Sequence, residues 1–133
     1  MADAVTSQTI QDGQKTAILK FTNVSDGTGE SAVKKVDVSA LEKNDKGESC
    51  TSVAISRIYW ACAGMGVNIE FDATSNVLAI GLPADSTGDE YYDLFTGIPN
   101  NAGSGVTGDI EFTTKGHSSG DNYSIILVLT KNY

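Results

Sequence analysis

The feature that most constrains this chain is an alternation of period two that repeatedly stops and restarts. Val67, Ile69 and Phe71 alternate with Asn68, Glu70 and Asp72, and Ala17, Leu19 and Phe21 alternate with more polar neighbours. Successive side chains on a strand point to opposite faces, so each such run describes a strand with one apolar face and one wet face. The runs are short. Between them stand clusters of Gly, Ser, Thr, Asn and Asp, which tolerate or stabilise turn dihedrals. Fourteen glycines against two prolines in 133 residues supply those turns. No stretch sustains a helical period, and no internal repeat is visible. The pattern predicts an all-β chain: an antiparallel two-layer β-sandwich of about eight strands, jelly-roll-like in one form, with one domain over residues 1–133.

Individual segments carry sharper expectations. Val5 to Ile10, Asp12-Gly13 and Lys15 to Val24 read as a β-hairpin. Ala32 to Val38 is extended with Val36 and Val38 on one face, Ser39 to Leu41 adds a short helical turn, and Glu42 to Ser49 is a polar surface loop. Thr51 to Cys62 contains a conflict, because Val53 and Ile55 are apolar at odd positions whereas Ile58, Trp60 and Cys62 are apolar at even ones. A β-bulge near Ser56-Arg57 brings both sets to one face; the alternative is a strand with apolar neighbours on both sides. Val77 to Leu82 and Ile125 to Leu129 are nearly continuous apolar runs, expected to be covered on both faces. The second is expected at the centre of a sheet, since such a run on an open edge invites aggregation. Trp60 and Tyr59 are expected in the core. Residues 85–105 carry no pattern that assigns them to strand, helix or loop.

Charge narrows the partners. The chain carries a net charge of −8 with a pI near 4.4, and such a surface repels both a nucleic-acid backbone and an anionic membrane. Lys34 and Lys35 are adjacent on a strand and so point to opposite faces rather than forming a basic patch. The first residues show neither a basic start nor an apolar run and so do not read as a secretory signal peptide, and no stretch approaches transmembrane length; assembly in a reducing cytoplasm is the expectation that fits two cysteines read as free thiols. Cys50 and Cys62 flank a segment read as one strand. Twelve residues at ~3.3 Å each hold them roughly 40 Å apart, where a disulfide needs about 7 Å, so both are expected as free thiols. Asn23-Val24-Ser25 and Asn122-Tyr123-Ser124 have the form of glycosylation acceptors that a chain without a secretory signal leaves unused.

Candidate chemistry is sparse. Gly103-Ser104-Gly105-Val106-Thr107-Gly108 has the spacing of a dinucleotide fingerprint, but a strand follows it where a helix is needed, so it reads as a loop. His117-Ser118-Ser119-Gly120-Asp121 gathers three catalytic residue types in a loop, yet a triad needs convergence in space rather than in sequence. One His and two distant Cys make no zinc site, and the acidic stretch Asp85, Asp89, Glu90 and Asp93 lacks the order of an EF-hand. No catalytic, cofactor-binding or metal residue is therefore assigned. Tyr91, Tyr92 and Phe95 are the candidate interface, because tyrosine joins a large apolar area to a polar tip.

Three groups of segments carry a resemblance: Gly27-Thr28-Gly29-Glu30 leading to Lys35-Val36-Asp37-Val38; Asn100 to Gly105 with Gly108 to Thr114; and Gly116 to Asp121 followed by Tyr123-Ser124-Ile125. Together they resemble a family of small virion structural proteins of tailed, particularly marine, bacteriophages. The resemblance implies a non-enzymatic, homo-oligomeric (dimeric or trimeric) head decoration or cement protein on the capsid surface, with the major capsid protein as partner. It brings no catalytic residues. A tail or fibre module that binds host carbohydrate, and an enzyme or inhibitor with an unrecognised site, are the competing expectations.

Overall fold

The computed structural model describes residues 4–91 and 97–133. Among them nine strands build two antiparallel sheets: β1 (Ala4–Asp12), β2 (Thr16–Val24), β3 (Val33–Val36), β4 (Ser52–Ala63), β5 (Gly66–Phe71), β6 (Val77–Leu82), β7 (Thr87–Tyr91), β8 (Ile110–Lys115) and β9 (Asn122–Asn132). The larger sheet has the order β1-β2-β9-β4-β7 and the smaller the order β3-β8-β5-β6. Strand β2 pairs with β9, β3 with β8, β4 with β7 and β5 with β6. This is the wrap of a jelly roll: one long hairpin, with β2 to β5 as one arm and β6 to β9 as the other, rolls so that successive pairs fall in alternate sheets. Strand β1 is added at the β2 edge through the expected hairpin.

The inner faces close on each other through the alternating apolar positions. Leu19 and Phe21 of β2 and Ile125, Leu127 and Leu129 of β9 meet Val67, Ile69 and Phe71 of β5 and Ile110 and Phe112 of β8 in one buried cluster. Phe112 stands edge-on to Phe21 at 5.3 Å between ring centroids and to Tyr123 at 5.9 Å, the arrangement that aligns ring edges with neighbouring π-faces.

The conflict in β4 resolves as a bulge. Pairing with β9 shifts between Ile55 and Arg57, so Ser56 is the extra residue, and its hydroxyl donates to the Val128 carbonyl at 2.9 Å. Val53, Ile55, Ile58 and Cys62 then all reach the core. Trp60 packs partly buried against it, with the indole N–H donating to Ser86. Its ring lies over Gly88, where an added Cβ would come within 2.4 Å of the ring. Tyr59 corrects the expectation of a core residue: it pairs with Ile126 and Asp89 on the outer face of the larger sheet.

The two apolar runs separate. Ile125–Leu129 lies in the third of five strands, as expected. Only its inner face, Ile125, Leu127 and Leu129, is fully buried, while Ile126 and Val128 are half-buried. Val77–Leu82 departs further from the expected cover: β6 is an edge strand of the smaller sheet, and Leu78 is 55% exposed. The turn after Val36 forms the short 3-10 element Val38–Ala40, capped by Asp37, and the 42–49 segment is an irregular surface loop. Within the unassigned 85–105 stretch, β7 is strand, and Ile98 forms an isolated bridge to Ile55.

Candidate functional site

The outer face of the larger sheet carries the most developed exposed surface among the described residues. Because Ser56 is bulged, Arg57 and Tyr59 both point outward, and their cross-strand partners on β7 are Tyr91 and Asp89. The Arg57 guanidinium sits over the Tyr59 ring at 4.6 Å and over the Tyr91 ring at 5.2 Å. Its Nε and Nη2 donate to the two Asp89 oxygens at 3.0 and 2.8 Å, a fork-to-fork pair. Those hydrogen bonds hold the Asp89 carboxyl below the usual carboxylate range and raise Arg57 further. Two shallow concavities of about 630 and 520 Å³ adjoin this stack and share Tyr59 and Ile126 in their walls. The first is floored by Ile18, Ile126 and Val128, and the second reaches Trp60 and Lys20. Tyr91 is 60% exposed. The result is an aromatic and guanidinium ridge beside a trough with an aliphatic floor, built on strands rather than loops.

Of the candidate interface residues, Tyr91 stands on this face, while Tyr92 and Phe95 lie outside the described residues. Arg57, Tyr59 and Asp89 were not anticipated there. The signal was present in the parity of β4, since the bulge that sends Ile58 inward necessarily sends Arg57 and Tyr59 outward.

Several of the segments carrying the family resemblance meet elsewhere, in a buried polar network around Glu30. Glu30, only 8% exposed, pairs with Lys35 and accepts from Tyr123 Oη at 2.5 Å and from Asn23 Nδ2 at 3.0 Å. Its amide donates to Thr114 Oγ1, which also contacts His117 Nδ1. The imidazole rests on Gly29, whose positive φ and absent side chain leave the space; a Cβ there would come within 2.4 Å of the ring. Lys34 and Lys35 do face opposite ways: Lys35 points inward, while Lys34 pairs with Asp109 at 2.9 Å, which raises its pKa. Asp109 in turn accepts from the Val38 amide. The motif residues thus brace turns against the sheets.

The remaining candidates fall apart in space. His117 meets Thr114, whereas Asp121 accepts from the Ser118 amide in its own loop. Asp85 accepts from the Gly64 amide and Asp89 is engaged by Arg57; Asp93 lies outside the described residues. Among the described residues no three His, Cys, Asp or Glu side chains cluster to hold a metal ion. Gly103 to Gly108 is loop leading into β8. Cys50 and Cys62 are unbonded and buried, and burial pushes both thiols above their ordinary pKa. A further concavity of about 550 Å³ beside Cys50 and Asn100 is lined only by uncharged side chains and backbone.

No family model matches the chain, and no curated protein matches it. Two solved structures of mutants of a family 29 carbohydrate-binding module (CBM29-2) are similar to it, each at 10% identity. They cover 98% and 96% of this chain and 80% and 85% of theirs, with TM-scores of 0.38 and 0.39. At that superposition nothing about this chain's ligand follows.

Proposed function

We propose that this chain is a non-enzymatic virion structural protein that decorates or cements a phage capsid by binding the major capsid protein, docking through the outer face of its larger sheet. The docking reading is carried by the Tyr59–Arg57–Tyr91 stack, which stands in solvent beside a floor of Ile18, Ile126 and Val128. Tyrosine and arginine are the side chains enriched at the energetic centres of protein interfaces, and here they stack on one another on neighbouring strands.

A protein surface would set apolar side chains of its own against Ile18, Ile126 and Val128, and the guanidinium fork is already occupied by Asp89. The same trough also carries the hydroxyls of Thr16, Ser56 and Thr130, so a saccharide is the competing ligand that the test separates. The acidic surface argues against nucleic acid and anionic bilayers. The identity of the partner as a capsid protein rests on the sequence resemblance. A jelly roll serves capsid and lectin domains alike and does not choose between them.

The test is to titrate capsids assembled without the protein with the purified wild type and with a Tyr59→Ala/Tyr91→Ala double variant. The wild type is expected to saturate the shells at a fixed ratio to the capsid protein and to raise the temperature of genome release. The double variant, folded by circular dichroism, is expected to bind about tenfold or more weakly. Failure to bind shells, with retention on host-surface polysaccharide that the double variant loses, would replace this reading with the tail or fibre module.

A further inference from the structure

We infer that β6 is a self-pairing edge, through which two copies of this chain join their smaller sheets antiparallel about a two-fold axis. The inference concerns the purified protein alone and does not rest on the capsid reading. Four strands stand at sheet edges among the described residues: β1, β7, β3 and β6. Strand β3 is four residues long and carries Lys34 and Lys35, and β7 carries Asp89 and Glu90; β1 is longer, with Val5 and Ile10 exposed, but six of its nine residues are polar and it ends in Asp12. Shortness and charge are the devices that keep an open edge from recruiting another strand. Strand β6, Val-Leu-Ala-Ile-Gly-Leu, has no charged residue.

Its side chains fit a copy of themselves. Pairing with β5 shifts between Ile69 and Glu70, so that Ile80 opposes Ile69 and Leu78 opposes Glu70, leaving Ala79 as the extra residue. The bulge puts Leu78 and Gly81 on the same, outer face, and Val77 and Leu82 on the inner one. Residues directly opposite in an antiparallel pair share a face. A two-fold axis between Ala79 and Ile80 therefore sets each Leu78 opposite the other copy's Gly81 and each Val77 opposite the other copy's Leu82. The remaining pair, Ala79 with Ile80, agrees in face as well, both packing partly buried against the core. The position above Gly81 is open, its nearest neighbour to an added Cβ being Asn68 Oδ1 at 3.4 Å. The exposed leucine thus finds room where the partner strand has no side chain. A closed two-fold uses the edge in both copies at once and leaves no further β6 edge to propagate a fibre. A six-residue seam lies at the weak end of protein interfaces, so the dimer forms at high concentration in solution and is strengthened wherever copies are held side by side.

Sedimentation velocity over a wide concentration range tests this. The wild type is expected to pass from monomer to dimer. Leu78→Lys, with an unchanged melting temperature because the side chain is exposed, is expected to weaken the dimer about tenfold or more. Gly81→Val, which fills the opposite position, should do the same. A Leu78→Cys/Gly81→Cys double variant should form covalent dimers under mild oxidation, the native thiols being buried. A wild type that stays monomeric throughout, a dimer untouched by Leu78→Lys, or a trimer would each overturn the inference.

Discussion

Strands β9 and β6 carry the two long apolar runs of the molecule, and their surroundings differ in kind. The run Ile125–Leu129 has β2 on one side and β4 on the other, with its inner side chains at 0% exposure. The run Val77–Leu82 has β5 on one side only and turns Leu78 outward. The apolar character of β9 is consumed within the fold, and that of β6 is left over. An uncharged run therefore does not by itself report burial within its own chain; its neighbours in the sheet decide that.

Substitutions of the same kind in the two strands should separate them. Leu127→Asp places a carboxylate among fully buried side chains with no partner, a cost comparable with the whole stability of a domain, roughly 5–15 kcal/mol, and the variant should be insoluble or unfolded by circular dichroism. If it folded cooperatively, the central position of β9 would be wrong. Tyr123→Phe, also in β9, is a smaller change: it removes the hydroxyl that reaches buried Glu30 and should cost about 1–3 kcal/mol in urea unfolding with the slope unchanged. Leu78→Asp in β6 should shift stability by no more than about 0.5 kcal/mol, as surface changes do. A loss comparable to that of Leu127→Asp would mean that β6 is covered within a single chain.

Thiol chemistry sharpens the same contrast between inside and outside. Cys50 and Cys62 should resist alkylation in native buffer, because burial both shields them and disfavours the thiolate, and two thiols per chain should label on unfolding without reductant. A crosslinked 50–62 peptide would overturn the strand geometry between them. The smallest effect belongs to the outer face. Asp89 has a depressed pKa, so whatever Arg57 contributes through it is present above the ordinary carboxylate pKa and fades as pH falls through the lower folded value. Because the pair is exposed, Asp89→Asn should flatten the acid limb of a melting-temperature profile only slightly.

Much of the architecture was legible because period-two burial writes itself into composition. The hairpin of β1 and β2, the bulge at Ser56 and the short helical turn after Val36 follow from parity and turn residues, and the central place of β9 from a run that an open edge would expose to aggregation. Edge or centre was not legible for β6, since a run without charges is equally consistent with cover from its own chain and from another. Tyr59 is expected inside because β4 reads as a central strand, yet adjacent residues on a strand face opposite ways, so Tyr59 and Trp60 do not both point into the core. The ridge itself depends on β7 lying beside β4, a pairing between residues far apart in sequence that no local pattern encodes. Lys131, whose buried amine is held by Asp12 and by the Gly13 and Glu42 carbonyls, is another such case, as nothing near it in sequence distinguishes it from an exposed lysine.

The bulge at Ser56 has a consequence for how this chain tolerates change in length. Strand β4 carries two hydrophobic registers that are out of phase, and one residue reconciles them. Deleting Ser56 would leave Ile55, Arg57 and Ile58 in plain alternation, so β4 would become a regular strand with Val53, Ile55, Ile58 and Cys62 still facing inward and Arg57 and Tyr59 still outward. A residue gained between Ile58 and Cys62 has no such outlet: without a second bulge it rotates one side of the insertion by half a period and turns Cys62 to solvent. Length in this strand is free to shrink at one position and is held by the core elsewhere.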